Sequence, residues 1–193
     1  MVKIAFFKEE VDIPMGIEVK IDENNKVTIV GPNGGPVTKD FSHARGIKIN
    51  IEGNKIIFST IFPDRMTIAL VNTIISITKG IITGLQTNYK YICKICYSHF
   101  PCSVRIDEKT QTMFVENFLG EKAPRKTKIE KNVKIKLEGE DIILESYNKE
   151  SLGQTAANIK KCCRIKKKDP RVFQDGIYLY KILLGNEIIW QIK

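Results

Sequence analysis

LEGEDIILESYNKESLGQTAANIKKCC, Leu137–Cys163, decides the fold. A strand running from Val133 to Leu137 reaches the acidic turn Glu138–Gly139–Glu140 and returns through Ile142–Glu145. Glycine between polar residues is turn chemistry; apolar and polar residues alternate before it, and Ile142–Leu144 after it is a short apolar run bounded by acids. Asn148 follows, and its side chain is suited to accept a hydrogen bond from the unpaired amides that open a helix. Beyond it Leu152, Ala156, Ile159 and Cys163 recur every three or four residues, which makes one apolar helix face. The order is hairpin, cap, helix. A helix with a single apolar stripe must bury it, and the preceding strands are the nearest cover.

The same order stands earlier in the chain. Ile47–Ile51 and Lys55–Thr60 read as strands around Glu52–Gly53–Asn54, and Asp64 is the cap. Met66, Ala69, Leu70, Thr73, Ile74 and Ile77 supply the apolar face, with Gly80 as the C-terminal stop. Upstream, Val11–Pro14 is extended, Val19–Ile21 and Val27–Ile29 alternate around Asp22–Asn25, and residues 31–36 form a compact loop. In the second half, Phe100–Pro101 precedes strands at Val104–Ile106 and Thr112–Val115, and Asn117–Lys122 is a loop. Asp12–Ile13–Pro14 aligns with His99–Phe100–Pro101 and Gly34 with Gly120, at offsets of 87 and 86 residues. The reading is an α+β fold made by tandem duplication, with similar domains at residues 1–88 and 89–181. Each is a mostly antiparallel sheet packed by one helix. Residues 182–193 are a C-terminal extension, a strand turned at Gly185–Asn186.

Charge separates the halves. The whole chain carries +9, but residues 1–88 hold ten basic and nine acidic side chains against twenty-one and thirteen in residues 89–193. A net of +1 against +8 directs an anionic partner to the second half. The five cysteines, an odd number, with no N-terminal leader pattern and no glycosylation acceptor, point to reduced thiols in an intracellular compartment. Met66–Leu85 is the most apolar stretch, but Asn72, Lys79, Gly80 and Gly84 interrupt it. It reads as a buried helix, not a membrane span.

The charge concentrates in NIKKCCRIKKKDPRVFQDGIYLYK, Asn158–Lys181. Lys160, Lys161, Arg164, Lys166, Lys167, Lys168, Arg171 and Lys181 face only Asp169 and Asp175, and Phe173, Tyr178 and Tyr180 are interleaved. Cations neutralise phosphates and aromatic rings stack on unpaired bases, so the stretch suits single-stranded or irregular RNA. Pro170 turns the loop to present Arg171, whereas alternation along an extended segment directs Phe173 into the core. Lys122, Arg125 and Lys126 beside the glycine turn at Gly120 form a second candidate contact, and residues 122–136 carry seven basic side chains against Glu130. The candidate RNA-binding set is therefore these eight residues with Tyr178, Lys122, Arg125 and Lys126.

Ordered motifs carry a resemblance over nearly the whole chain. They are VDIP (Val11–Pro14), VTIVGPNG (Val27–Gly34) and TKGI (Thr78–Ile81), then YSHFP (Tyr97–Pro101) and VENFLGEK (Val115–Lys122), then LEGEDIIL (Leu137–Leu144), GQTAANI (Gly153–Ile159) and DPRVFQDGIY (Asp169–Tyr178). Together, and most specifically in NFLGEK and RVFQDGIY, they resemble large-subunit ribosomal protein six of archaea and eukaryotes, numbered nine in eukaryotic large subunits. The resemblance implies a non-enzymatic structural constituent of the cytoplasmic large subunit, without cofactor or membrane. It implies docking of the second domain on the last domain of large-subunit rRNA, near the loop where translation GTPases act and beside the stalk base, among neighbouring large-subunit proteins. Three features depart from that family. The first loop is GPNGGP where a more basic loop is usual, Lys160–Cys163 is rich in lysine and thiol, and the tail ILLGNEIIWQIK is apolar.

Other chemistry is poorly served. A nucleotide P-loop needs Gly-x4-Gly-Lys-Ser/Thr, and here Gly34 is followed by Gly35–Pro36. Cys93, Cys96, His99 and Cys102 have a spacing compatible with zinc, and a strand with alternating side chains accounts for the cysteines equally. Neither His43 nor His99 belongs to a recognisable catalytic arrangement. The rival readings are a zinc-dependent or nucleotide-using enzyme on a duplicated α+β scaffold, and a free nucleic-acid chaperone.

Overall fold

The alternating runs pair as antiparallel strands, in two compact units that meet in sequence at Thr87 and Asn88. The structure, a computed structural model, describes residues 5–169 and 171–192. Pro170, expected to turn the loop before Arg171, lies outside the described residues.

In the first unit β1 (Phe6–Asp12), β6 (Lys55–Ile61) and β5 (Ile47–Glu52) form one sheet in the order β1-β6-β5. A second sheet is the meander β2 (Glu18–Ile21), β3 (Lys26–Gly31), β4 (Gly34–Asp40). The helix α1 (Arg65–Gln86) packs against β1 and β3. Its start is the expected one, with the Asp64 carboxylate accepting from the Thr67 amide at 2.7 Å.

Three expectations for this unit are corrected. The loop at residues 31–36 is a tight turn, because Gly31 pairs with Gly34 and β4 begins there. Two glycines and Pro36 hide β4 in the sequence, since only Val37 on it is buried. The helix also does not stop at Gly80 but continues to Gln86. Glycine inside a helix costs about 1 kcal/mol relative to alanine, and burial of Ile82 and Leu85 beyond it contributes about 1.5–3 kcal/mol each. Finally, the buried face is Val71, Ile74, Ile75, Thr78, Ile82 and Leu85, while Met66 stands 77% exposed. An apolar helix offers more than one register at this spacing, and the sheet selects which stripe is covered. α1 is long and apolar enough to cross a membrane, but this stripe lies in the unit's own core.

In the second unit β7 (Tyr89–Cys96), β12 (Asp141–Ser146) and β11 (Lys134–Glu138) repeat the three-stranded order of the first sheet. The meander β8 (Ser103–Asp107), β9 (Thr112–Glu116), β10 (Arg125–Lys128) repeats the second sheet. β10 has no apolar alternation and is recognisable only by its pairing with β9. The helix α2 (Lys149–Cys162) buries Leu152, Ala156 and Ile159 as read, with Cys163 at its C-cap also buried. After it the chain adds β13 (Gly176–Leu184) and β14 (Glu187–Gln191) on the other edge of β7. The core gathers Tyr91, Cys93, Val115, Phe118, Leu144 and Ile177 among others, with Ile182 and Leu184 packed against it. The apolar tail thus divides. β13 pairs with β7 along its length, whereas Ile188, Ile189 and Trp190 on β14 are 44–54% exposed.

Candidate nucleic-acid interface

The end of α2 assembles the cationic surface. Lys160 and Lys161 occupy its last turn, where the negative end of the helix dipole favours positive side chains. The chain leaves the helix at Cys163 through Arg164, Lys166, Lys167 and Lys168, with Lys167 in the left-handed region at φ 60°. Asp169 closes this loop, its carboxylate accepting from the Arg171 amide at 2.9 Å and its carbonyl from the Val172 and Phe173 amides.

Arg125 on β10 ties the helix end to the Asn117–Lys122 loop. Its Nη1 donates to the carbonyls of Cys162 and Arg164 at 2.9 and 3.0 Å, its Nε and Nη2 to Glu121, and its guanidinium lies 4.4 Å from the Phe118 ring centre. The hydrogen bond to Arg125 holds the Glu121 carboxyl below its ordinary range. Arg125, a candidate contact, is therefore also a structural fork, held by two carbonyls and a carboxylate while it lines the cleft beside it. Gly120 is the turn expected there. At φ 76° it completes the turn, and a Cβ there would meet the Phe100 ring at 3.4 Å, so the turn packs inward.

Around that fork lies a cleft of about 660 Å³ lined by Lys161, Arg164, Lys166 and Lys168, with Glu121 and Cys162 on its wall. The Cys162 thiol is held below its ordinary range, first by a hydrogen bond from Cys163 and then by Arg125, against the opposing effect of burial. A second cleft of about 470 Å³ is rimmed by Lys160, Lys161 and Arg164 and reaches Phe173 and Tyr178. The structure therefore brings together Lys160, Lys161, Arg164, Lys166, Lys168 and Tyr178. Lys122, Lys126, Lys167, Arg171 and Lys181 line neither cleft. The first four of these are exposed, and Lys181 is half-buried on β13. Among the described residues, none of Lys160, Lys161, Arg164, Lys166 and Lys168 enters an ion pair.

Beneath the basic loop is a buried device that sequence reading missed. Asp175, 2% exposed, accepts from the Ser98 and His99 amides at 2.6 and 3.2 Å, and its other oxygen lies 2.7 Å from His99 Nδ1. Burial pushes this carboxyl up, but the amides and the imidazole outweigh it and hold it below its ordinary value. His99 stacks on Phe173 at 4.3 Å, and the Lys168 ammonium sits 4.1 Å from the Phe173 ring centre. Phe173, expected in the core, is half-buried because residues 171–175 are turn and coil, not strand. The available signal was Asp175 itself, an acid stranded in a basic run. Its partners lie 76 and 77 residues away, beyond any local pattern.

The zinc-compatible spacing is dispersed. Cys93 points into the core, where burial pushes its thiol up to about 12, and His99 is held by Asp175. Among the described residues no group of three or more His, Cys, Asp or Glu side chains is placed to hold a metal ion.

Comparison with known proteins settles the lineage. The ribosomal protein L6 family profile matches residues 13–87 and again residues 100–176, one match in each unit. The chain belongs to the ribosomal protein L6 family. Among similar proteins, the large ribosomal subunit protein uL6 of Staphylothermus marinus is 46% identical over 181 residues, covering 93% of this chain and 97% of that protein. That of Desulfurococcus amylolyticus is 44% identical over 181 residues, covering 94% and 97%. That of Sulfurisphaera tokodaii is 43% identical over 186 residues, covering 96% and 98%. The duplicated α+β architecture expected from the sequence is that of the family. The basic cluster begins within the second family match and lies where α2 hands over to β13.

Proposed function

We propose that this chain is a structural constituent of the large ribosomal subunit in the cytoplasm, and that it holds large-subunit rRNA through the basic face of its second unit. One observation carries the RNA contact. Five cations at the end of α2, none of them in an ion pair among the described residues, share two adjoining clefts. Unneutralised charges held this close repel one another, and a polyphosphate backbone with its displaced counterions is the partner that relieves them. Family membership supports the finer placement, on the last domain of the rRNA near the loop used by translation GTPases and beside the stalk base, with neighbouring large-subunit proteins. The chain performs no chemistry of its own in this reading. It positions and stiffens RNA.

The test is lysine footprinting of the protein free and within salt-washed large subunits. Lys161, Lys166 and Lys168 are expected to lose reactivity in the particle, while Lys20 and Lys48 of the first unit retain it. Release of the protein from large subunits at a moderate salt wash, with full lysine reactivity, would instead identify a free nucleic-acid chaperone.

A further inference from the structure

The second cleft differs in chemistry from the first. Its floor is apolar, built by Ile165, Ile177 and Cys163, and its rim carries Lys160, Lys161 and Arg164. An apolar floor has nothing to offer a phosphate, which the open cationic cleft beside Lys166 and Lys168 serves better. At about 470 Å³ the second cleft falls within the range of about 300–1,000 Å³ usual for small-ligand sites.

One wall is Tyr178, whose placement is unusual. A Cβ at Gly176 would meet its ring atoms at 2.9 Å, so the ring lies back across bare backbone. Only glycine permits that close approach. The ring lines this cleft and also the neighbouring one of about 630 Å³ formed with Lys94, Tyr97 and Ser98, and the residue keeps 38% of its surface exposed. Gln174 lines both clefts as well and offers a primary amide, which can donate and accept at the edge of a planar heterocycle.

We propose that this cleft receives one unpaired nucleobase of the bound RNA, stacked on Tyr178, with its flanking phosphates on Lys160, Lys161 and Arg164. The proposal rests on the rRNA-binding reading above and deepens it, from phosphate neutralisation to capture of a base. An aromatic wall and an apolar floor beside lysines and an arginine are the complement of a base attached to its own backbone. The ring lies close over the Gly176 backbone, where an added Cβ would displace it.

Two RNA hairpins of equal length test this with the full chain, one completely paired and one carrying a single bulged 2-aminopurine. The wild-type protein is expected to bind the bulged hairpin more tightly and to quench its fluorescence by stacking. Tyr178→Ala is expected to lose about ten- to a hundredfold in affinity for the bulged hairpin, the range for one base–aromatic stack, with paired-hairpin affinity unchanged. Tyr178→Phe, which keeps the ring, is expected to behave as wild type. Equal loss on both hairpins, or retention of the bulge preference by Tyr178→Ala, overturns base capture while leaving RNA binding intact. Salt-insensitive, negligible binding of both hairpins overturns the RNA-binding reading and base capture with it.

Discussion

The two units place the same strands in the same order around one helix, and differ in how that helix ends. In the first, the β3–β4 turn closes the end of α1: the Asn33 amide donates to the Leu85 carbonyl at 3.2 Å, and its side-chain amide donates to the Gln86 carbonyl. A Cβ at Gly31 would meet Leu85 at 2.7 Å, so the strand approaches the helix closely there. In the second, the end of α2 is closed from the equivalent sheet by Arg125, which donates to the carbonyls of Cys162 and Arg164. The orphan carbonyls of a helix end must find donors, and either residue type supplies them. A neutral amide seals the end and adds no charge. A guanidinium seals it beside Lys160, Lys161 and Arg164 and leaves a cationic rim. A duplicated scaffold thus acquires a cationic face in one copy through the chemistry of a cap and of the loop that follows it.

The largest expected effect breaks this asymmetry directly. Replacing Lys160, Lys161, Arg164, Lys166 and Lys168 with Ala is expected to lower the slope of log affinity for rRNA against log salt by about 3.5–4.5, at about 0.7–0.9 per phosphate contact. Replacing Lys20, Lys26, Lys48 and Lys79 of the first unit is expected to leave that slope within error. Equal slopes for the two variants in a filter-binding titration would remove the functional difference between the units.

Asp175 has no counterpart among the buried charges of the first unit described here. Asp175→Ala leaves two amides and an imidazole without their acceptor and is expected to destabilise the second unit by roughly 3 kcal/mol, the upper end for a charge-assisted hydrogen bond. Its carboxyl is held below the ordinary value of 3.8 in the folded protein. The folded state therefore binds the proton less readily than the unfolded chain. The stabilisation is complete above the unfolded value and is lost as pH falls through the folded one. Acid unfolding of the wild type, followed by the single Trp190 in the second unit, should accordingly steepen below about pH 3.8 and be blunted in Asp175→Asn.

The caps sharpen the comparison at a smaller scale. Arg125→Ala is expected to cost about 2 kcal/mol, because a half-buried fork to two carbonyls and a carboxylate is lost. Asn33→Ala is expected to cost about 1 kcal/mol for its neutral bond. Arg125→Lys should recover little of the loss, since an ammonium cannot span the same acceptors. Chemical denaturation of each variant measures the difference, and an equal cost at both positions would show that the guanidinium is not special to its unit. The smallest effect is a gain. A Cβ at Gly80 meets nothing within 4 Å, so Gly80→Ala is expected to stabilise the first unit by about 0.5–1 kcal/mol.

Local chemistry explains what could be read in advance. Asp64 and Asn148 cap the helices they precede, since a cap is a contact between residues two or three apart. α2 is mostly polar, so its apolar residues define a single stripe, and Leu152, Ala156, Ile159 and Cys163 are the buried ones. The basic run is legible for the same reason, because charge is a property of composition. α1 is apolar on several faces, so spacing leaves its register undecided, and contact with β1 and β3 chooses Val71, Ile75 and Leu85 over Met66 and Ala69. β4 and β10 owe their existence to the hydrogen bonds of β3 and β9, which no pattern within seven or four residues announces.

The chain by itself therefore specifies a duplication, two capped helices and a charge held in its second half, all of which rest on interactions within a few residues or on composition. The folded structure alone decides which of those charges act together. It withdraws Arg125 into a helix cap and lifts Phe173 out of the core onto His99 over Asp175. It lays Tyr178 across Gly176 at the mouth of a cleft. Each of these contacts except the last joins residues tens of positions apart, and their energy depends on distances that only tertiary packing sets.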